Sequence, residues 1–191
     1  MNKKCLLHVC CAPCSVYPLK ILKKKFDFIA CYFYGNNIHP FTEYIKRRDA
    51  VIKYADYTGL RLIINKEYNL KDFIQKIVFR EEERCSICYY ERLKSSAKIA
   101  KKGKFNCFTT SLLYSKFQKH ERIKSIGKAV GKEIGVPFYY EDFRCGWNEG
   151  MQESKKLNLY RQKYCGCIYS EQERYYKQDD KGNKSYQIFR R

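Results

Sequence analysis

Cys5-Leu6-Leu7-His8-Val9-Cys10-Cys11-Ala12-Pro13-Cys14 opens the chain with an apolar run that stops at three cysteines and a proline. The run from Cys5 to Val9 reads as a short buried strand. An amphipathic helix pattern follows from Ser15 to Lys25, with Val16, Leu19, Ile21 and Leu22 as its apolar stripe. The same alternation continues downstream. Phe28 to Tyr34 reads as a second strand, punctuated by Gly35-Asn36-Asn37. Thr42 caps a helix through Tyr57, which Gly59 ends. Arg61 to Asn65 reads as a third strand and Leu70 to Val78 as a helix. Residues 89–102 and 121–133 carry helical patterns, 105–111 a strand, and 138–141 one strand more.

Strands alternating with helices at this spacing predict an α/β fold with a mainly parallel sheet flanked by helices, followed by a helical C-terminal part. In such sheets the loops leaving the carboxyl ends of the strands line the ligand crevice. Cys10, Cys11 and Cys14 fall on the first of those loops. Beyond Ser170 the sequence turns polar, and residues 178–184 show no periodicity. The expected organisation is one α/β domain over 1–170 and a polar basic tail over 171–191.

The chain has 191 residues, enough for one such domain with a real core. Its apolar runs are short and broken by lysines, so no membrane span is expected. The basic start is interrupted at once by His8 and Pro13, unlike an export signal, so a cytoplasmic location is expected. Eleven cysteines, an odd number, then favour metal ligation or redox chemistry over a disulfide framework. A net charge of +19, from 39 basic and 20 acidic residues, predicts a polyanionic partner such as RNA or DNA.

Cys5, Cys31 and Cys107 lie inside apolar strand patterns and read as small core residues. Cys145 sits in a loop without an assigned role. The rest form three tight groupings: Cys10-Cys11-Ala12-Pro13-Cys14, Cys85-Ser86-Ile87-Cys88 and Cys165-Gly166-Cys167. The first two offer thiolates from two places to one centre. Spacing alone admits zinc and an iron–sulfur cluster equally. Cys165-Gly166-Cys167 is too close-spaced for an unstrained disulfide, and Gly166 supplies backbone latitude. A strained, easily reduced pair suits a catalytic dithiol, with a further metal-ligand pair as the alternative.

These stretches carry a resemblance. Leu6 to Cys14, Asn37-Ile38-His39-Pro40 with Glu43-Tyr44, and Arg84 to Tyr89 resemble the cobalamin-independent epoxyqueuosine reductases, the QueH family. So do Thr109 to Leu113, Gln118 to Glu121, Asp142-Phe143-Arg144, Gly146-Trp147, Leu159 to Gln162 and Tyr164 to Ser170. The similarity spans the chain to Ser170. One departure is Gly35-Asn36-Asn37, where Asn-Pro-Asn is expected; it removes no proposed ligand.

The resemblance implies a nucleotide α-hydrolase-like (Rossmann-like) fold and a 4Fe-4S cluster on Cys10, Cys11, Cys85 and Cys88. It implies a redox-active disulfide between Cys165 and Cys167, and an extra iron for which Cys14 and Asp142 are the candidate ligands. The implied reaction reduces epoxyqueuosine in a tRNA anticodon loop to queuosine, with electrons from an external donor. His8, His39, His120, Tyr164 and Asp142 are candidate proton donors. Trp147 is a candidate for stacking on a base, and Arg144 shares its predicted loop. Tyr44, Lys46, Arg47 and Arg48, with Lys101, Lys102 and Lys104, are candidates for tRNA phosphates. Two rivals stand beside this reading. A PP-loop ATP-dependent tRNA-modifying enzyme needs a glycine-rich phosphate cradle, which Cys10 to Cys14 does not provide. A zinc-stabilised RNA-binding module accounts for the charge but not for Cys165-Gly166-Cys167.

Overall fold

The computed structural model describes residues 2–178 and 184–186. Strand β1 (Lys4–Val9) is central, with β2 (Phe28–Phe33) on one side and β4 (Cys107–Thr110) on the other; β3 (Arg61–Ile64) lies beyond β2. Every pairing in this four-stranded sheet is parallel, with His8 level with Tyr32 on one side and Thr110 on the other. The order β3-β2-β1-β4 reproduces the first four strands of a doubly wound Rossmann sheet. Its order reverses between β1 and β4, and ligands bind outside the carboxyl ends of the strands at that switch point. Helices α1 (Ala12–Leu22), α2 (Phe41–Thr58), α3 (Leu70–Ile77), α4 (Arg84–Lys102) and α5 (His120–Ile134) flank the sheet. Residues Cys5 to Val9 are buried without alternation, as a strand covered on both faces must be. Cys5, Cys31 and Cys107 are buried in this core, as their apolar settings predict.

Three boundaries differ from the expectation, and two of them bear on the site. Helix α1 starts at Ala12 rather than Ser15, because Pro13 in its first turn has the right φ and needs no hydrogen-bond acceptor. Cys11 is therefore its N-cap and Cys14 part of its first turn, not of a loop. Helix α4 starts at Arg84 rather than Tyr89, after a 3-10 turn at Glu81–Glu83, so Cys85 and Cys88 lie on its first two turns. Spaced by three, they share one face. The strand expected at 138–141 reduces to a single bridge between Phe108 and Phe138, because the chain then leaves the sheet for a 3-10 turn capped by Asp142.

The C-terminal part is helical, with α6 (Trp147–Lys156) and α7 (Ile168–Tyr175), followed by antiparallel strands β5 (Tyr176–Gln178) and β6 (Lys184–Tyr186). The rest of the tail, 179–183 and 187–191, lies outside the described residues. Among the described residues no helix is long and apolar enough to cross a membrane.

Candidate metal centre

At the switch point, the carboxyl end of β1 delivers Cys10 and the carboxyl end of β4 delivers Ser111. Their contact closes the crevice floor: the Cys10 amide donates to Ser111 Oγ at 3.2 Å, and Ser111 Oγ donates to Cys10 Sγ at 3.5 Å. The turn into α1 then brings the Cys10, Cys11 and Cys14 sulfurs within 4.8 Å of one another, all three buried. From the C-terminal part, the Gln162 side-chain amide donates to Cys11 Sγ at 3.0 Å and to Cys14 Sγ at 3.5 Å. Contacts with the Cys11 and Cys14 thiols hold the Cys10 thiol well below its ordinary pKa, and contacts with Cys10 and Cys11 raise Cys14.

Helix α4 faces this group. Cys88 Sγ accepts from Asn37 Nδ2 at 2.8 Å and from Arg92 Nε at 3.4 Å, while burial pushes its thiol up to about 12. Cys85, one turn before, is half-buried. Arg92 is 3% exposed, and among the described residues no carboxylate lies within ion-pairing distance of it. Among the described residues its Nη1 is buried without a hydrogen-bond partner, and the ionisable groups that act on the guanidinium are the Cys88, Cys10 and Cys165 thiols. A buried cation without an anion is costly. An anionic, thiolate-held metal group would supply the missing countercharge, and thiolates are the ligands such groups use. The residues therefore fit a metal–sulfur centre.

Cys165-Gly166-Cys167 is fastened to the same crevice. Arg47, fully buried, is paired with Glu43 at 2.7 Å and donates to the carbonyls of Cys165 at 2.8 Å and Tyr164 at 3.0 Å. Tyr160 donates to the second Glu43 oxygen at 2.5 Å. The His39 amide donates to the Gly166 carbonyl at 2.7 Å, and His39 Nδ1 accepts from the Ile168 amide at 3.4 Å. Gly166 has φ +153°, open to glycine and strained for other residues. Cys165 is exposed and Cys167 half-buried; both are free thiols. Gln118 Nε2 donates to Cys165 Sγ at 3.2 Å, yet the desolvation of that thiol outweighs this contact and raises its pKa.

Other expected roles change. Arg47 is no phosphate ligand, since its guanidinium is consumed inside the protein. His39 is 1% exposed, its Nε2 facing the Asn36 carbonyl at 3.0 Å; it braces the dithiol segment rather than meeting substrate. His8 is buried against Thr110 Oγ1 at 2.8 Å, and burial with the Arg92 charge lowers its pKa to about 3. His120 opens α5 with Nε2 3.1 Å from the Tyr140 hydroxyl. Asp142 stands outside the three-thiol group: Arg144 engages both its oxygens and holds its carboxyl at about 2. Trp147 starts α6, half-buried. Sequence reasoning assigned no role to Arg92, Gln162 or Ser111. Gln162 and Ser111 lay inside stretches that carry the resemblance, whereas Arg92 carried no signal.

Fold and site together define a Rossmann-like α/β protein with a thiol-lined candidate metal centre at its switch point. The sequence model described as "Epoxyqueuosine reductase QueH" matches residues 5–173, and the chain belongs to that family of oxidoreductases. It is similar to the Epoxyqueuosine reductase QueH of Dehalococcoides mccartyi, at 37% identity over 92% of this chain and 96% of that one. It is also similar to that of Thermotoga maritima, at 37% identity over 88% of this chain and 91% of that one. Among solved structures, the U34-tRNA thiolase NcsA from Methanococcus maripaludis with its 4Fe-4S cluster matches with a TM-score of 0.45, at 14% identity over 87% of this chain and 76% of that one.

Proposed function

We propose that this chain reduces epoxyqueuosine in tRNA to queuosine, with Cys10, Cys11, Cys85 and Cys88 holding a 4Fe-4S cluster and Cys165 and Cys167 as its redox-active pair. The observation that carries the reading is the buried thiol group at the switch point, faced by an arginine that has no carboxylate partner among the described residues. When bound, the cluster would relay electrons at low potential, and Cys14 and Asp142 are the candidate ligands for an extra iron that would supply Lewis acidity. Asp142 must release Arg144 to serve in this way.

The chain's own groups account for orientation and protons. Removing the epoxide oxygen as water takes two electrons and two protons. Oxidation of the Cys165 and Cys167 thiols to a disulfide releases that number of each, and an external donor restores the dithiol. Arg47 and His39 hold the segment by its carbonyls and amides, so it can change redox state without losing its place. His8 and His39 are buried and held neutral by desolvation, and the Tyr164 hydroxyl is spent on the His39 carbonyl. The labile protons at the open side of the crevice are those of the dithiol.

Anaerobically purified protein should be brown with about four irons per chain, and one more where the extra iron binds. Cys85→Ser should lose that colour, whereas Cys167→Ser should keep it and lose turnover. Stoichiometric zinc in a colourless protein, or loss of colour in both variants, contradicts the assignment.

A further inference from the structure

Four aromatic rings form a column beside the crevice. Tyr17, three residues after Cys14, packs on Tyr114 at a centroid distance of 6.4 Å; Tyr114 stacks on Trp147 at 5.2 Å and 25°; Trp147 meets Phe117 edge-on at 5.7 Å and 79°. The column is stiff at its base. Tyr114 is buried and donates its hydroxyl to the Trp147 carbonyl at 2.9 Å, and the Tyr17 ring fills the space a side chain at Gly146 would take. It is open at its tip, where Phe117 is 84% exposed. Lys116 places its ammonium 5.8 Å from the centre of the Trp147 ring. The next residue but one, Gln118, touches Cys165 Sγ. The column therefore reaches solvent alongside the exposed member of the redox pair.

A lone exposed phenylalanine needs no explanation. This one ends a rigid stack, carries a cation at its side and stands one residue from a contact to the reacting thiol. Aromatic faces accept unpaired bases of any identity, and a neighbouring ammonium accepts the phosphate that links them. The net charge of +19 brings a polyanion to the surface and disfavours a cationic occupant.

We propose that Phe117, backed by Trp147 and flanked by Lys116, stacks an unpaired base next to the reacting nucleoside of the RNA substrate. The proposal rests on the reading of tRNA as substrate. The reacting nucleoside itself must reach the Cys165 thiol, which Gln118 separates from the Phe117 ring, so the stacked base is its neighbour in the strand.

The test is binding of an anticodon stem-loop RNA that carries 2-aminopurine beside the target nucleoside. Binding to the wild type should quench the fluorophore by stacking. Phe117→Ala should abolish the quench and weaken binding roughly tenfold, and Phe117→Trp should restore both. At that exposure the truncation removes little packing. Tyr57→Ala is the control: Tyr57 is 73% exposed but lies at the far end of α2 from the crevice, and this variant should bind as the wild type does. Quenching and affinity unchanged in Phe117→Ala, an equal loss in Tyr57→Ala, or no quench in the wild type overturns the proposal. Turnover separates the two levels. A wild type that quenches the probe but never deoxygenates epoxyqueuosine-containing tRNA sinks the functional reading, while a wild type that turns over with Phe117→Ala unaltered in KM sinks the platform alone.

Discussion

Arg92 occupies a setting where a carboxylate would ordinarily be found, and thiols stand there instead. Its guanidinium is buried, one nitrogen lacks any hydrogen-bond partner among the described residues, and Nε is spent on Cys88. In the metal-free protein this is a cost, because burying an unpaired charge outweighs what one sulfur contact returns. With an anionic centre in place the sign reverses. Arg92→Met is therefore expected to raise the stability of the metal-free protein by about 1–4 kcal/mol, read by denaturant unfolding. In the loaded protein the same change should move the reduction potential to a more negative value, read by spectroelectrochemical titration. A destabilised metal-free variant with an unmoved potential contradicts the countercharge role. At this scale the thiols were legible, since three cysteine groupings in a short chain are hard to read as filler. Arg92 was not. An arginine on a helix rich in lysine reads as part of a solvated face, and its burial is settled only when α4 packs over β1.

At the scale of elements, the sequence pattern located β1, β2, β3 and β4 and the helices between them. It misplaced the two helix starts that matter. Pro13 begins α1 early, and the 3-10 turn of Glu81–Glu83 leads straight into α4, so Cys14, Cys85 and Cys88 sit at the start of helices rather than on loops. Helices α6 and α7 were too short to give a persuasive periodicity. The latch from α2 onto the dithiol segment was invisible, because Glu43 and Arg47 look like a surface pair four residues apart until Tyr164 and Cys165 close over them. Two consequences follow from that latch. Gly166→Ala puts a methyl 3.3 Å from Arg47 Nη1 at a φ that only glycine adopts freely. Arg47→Lys retains the charge but cannot span both carbonyls and Glu43 at once. Each variant should keep its iron content and lose most of its turnover, with elemental analysis and a single-turnover assay as the paired measurements. Loss of iron in both would make the segment part of the metal site.

The whole molecule joins a Rossmann-like sheet, whose switch point sets Cys10 beside Ser111, to a surface of high positive charge. The fold class was readable from strand–helix alternation, and the charge balance is what points to a polyanionic partner. The position of the crevice needed the strand order, which alternation does not specify. Phosphate contacts release counterions, so affinity for tRNA should fall linearly with salt on a log–log plot. With about six contacts the loss between 50 and 200 mM salt is on the order of a thousandfold. A flat response, measured by filter binding, contradicts an electrostatic contribution to substrate capture.

The most direct test of the central claim is conversion itself. Anaerobically prepared protein carrying its metal would be incubated with a chemical reductant and tRNA containing epoxyqueuosine, and the digested nucleosides scored by mass spectrometry. The account predicts queuosine, lighter than its precursor by one oxygen atom, in wild-type reactions and not with Cys167→Ser. Epoxyqueuosine left intact by a protein that is reduced, loaded with iron and bound to the tRNA would contradict it.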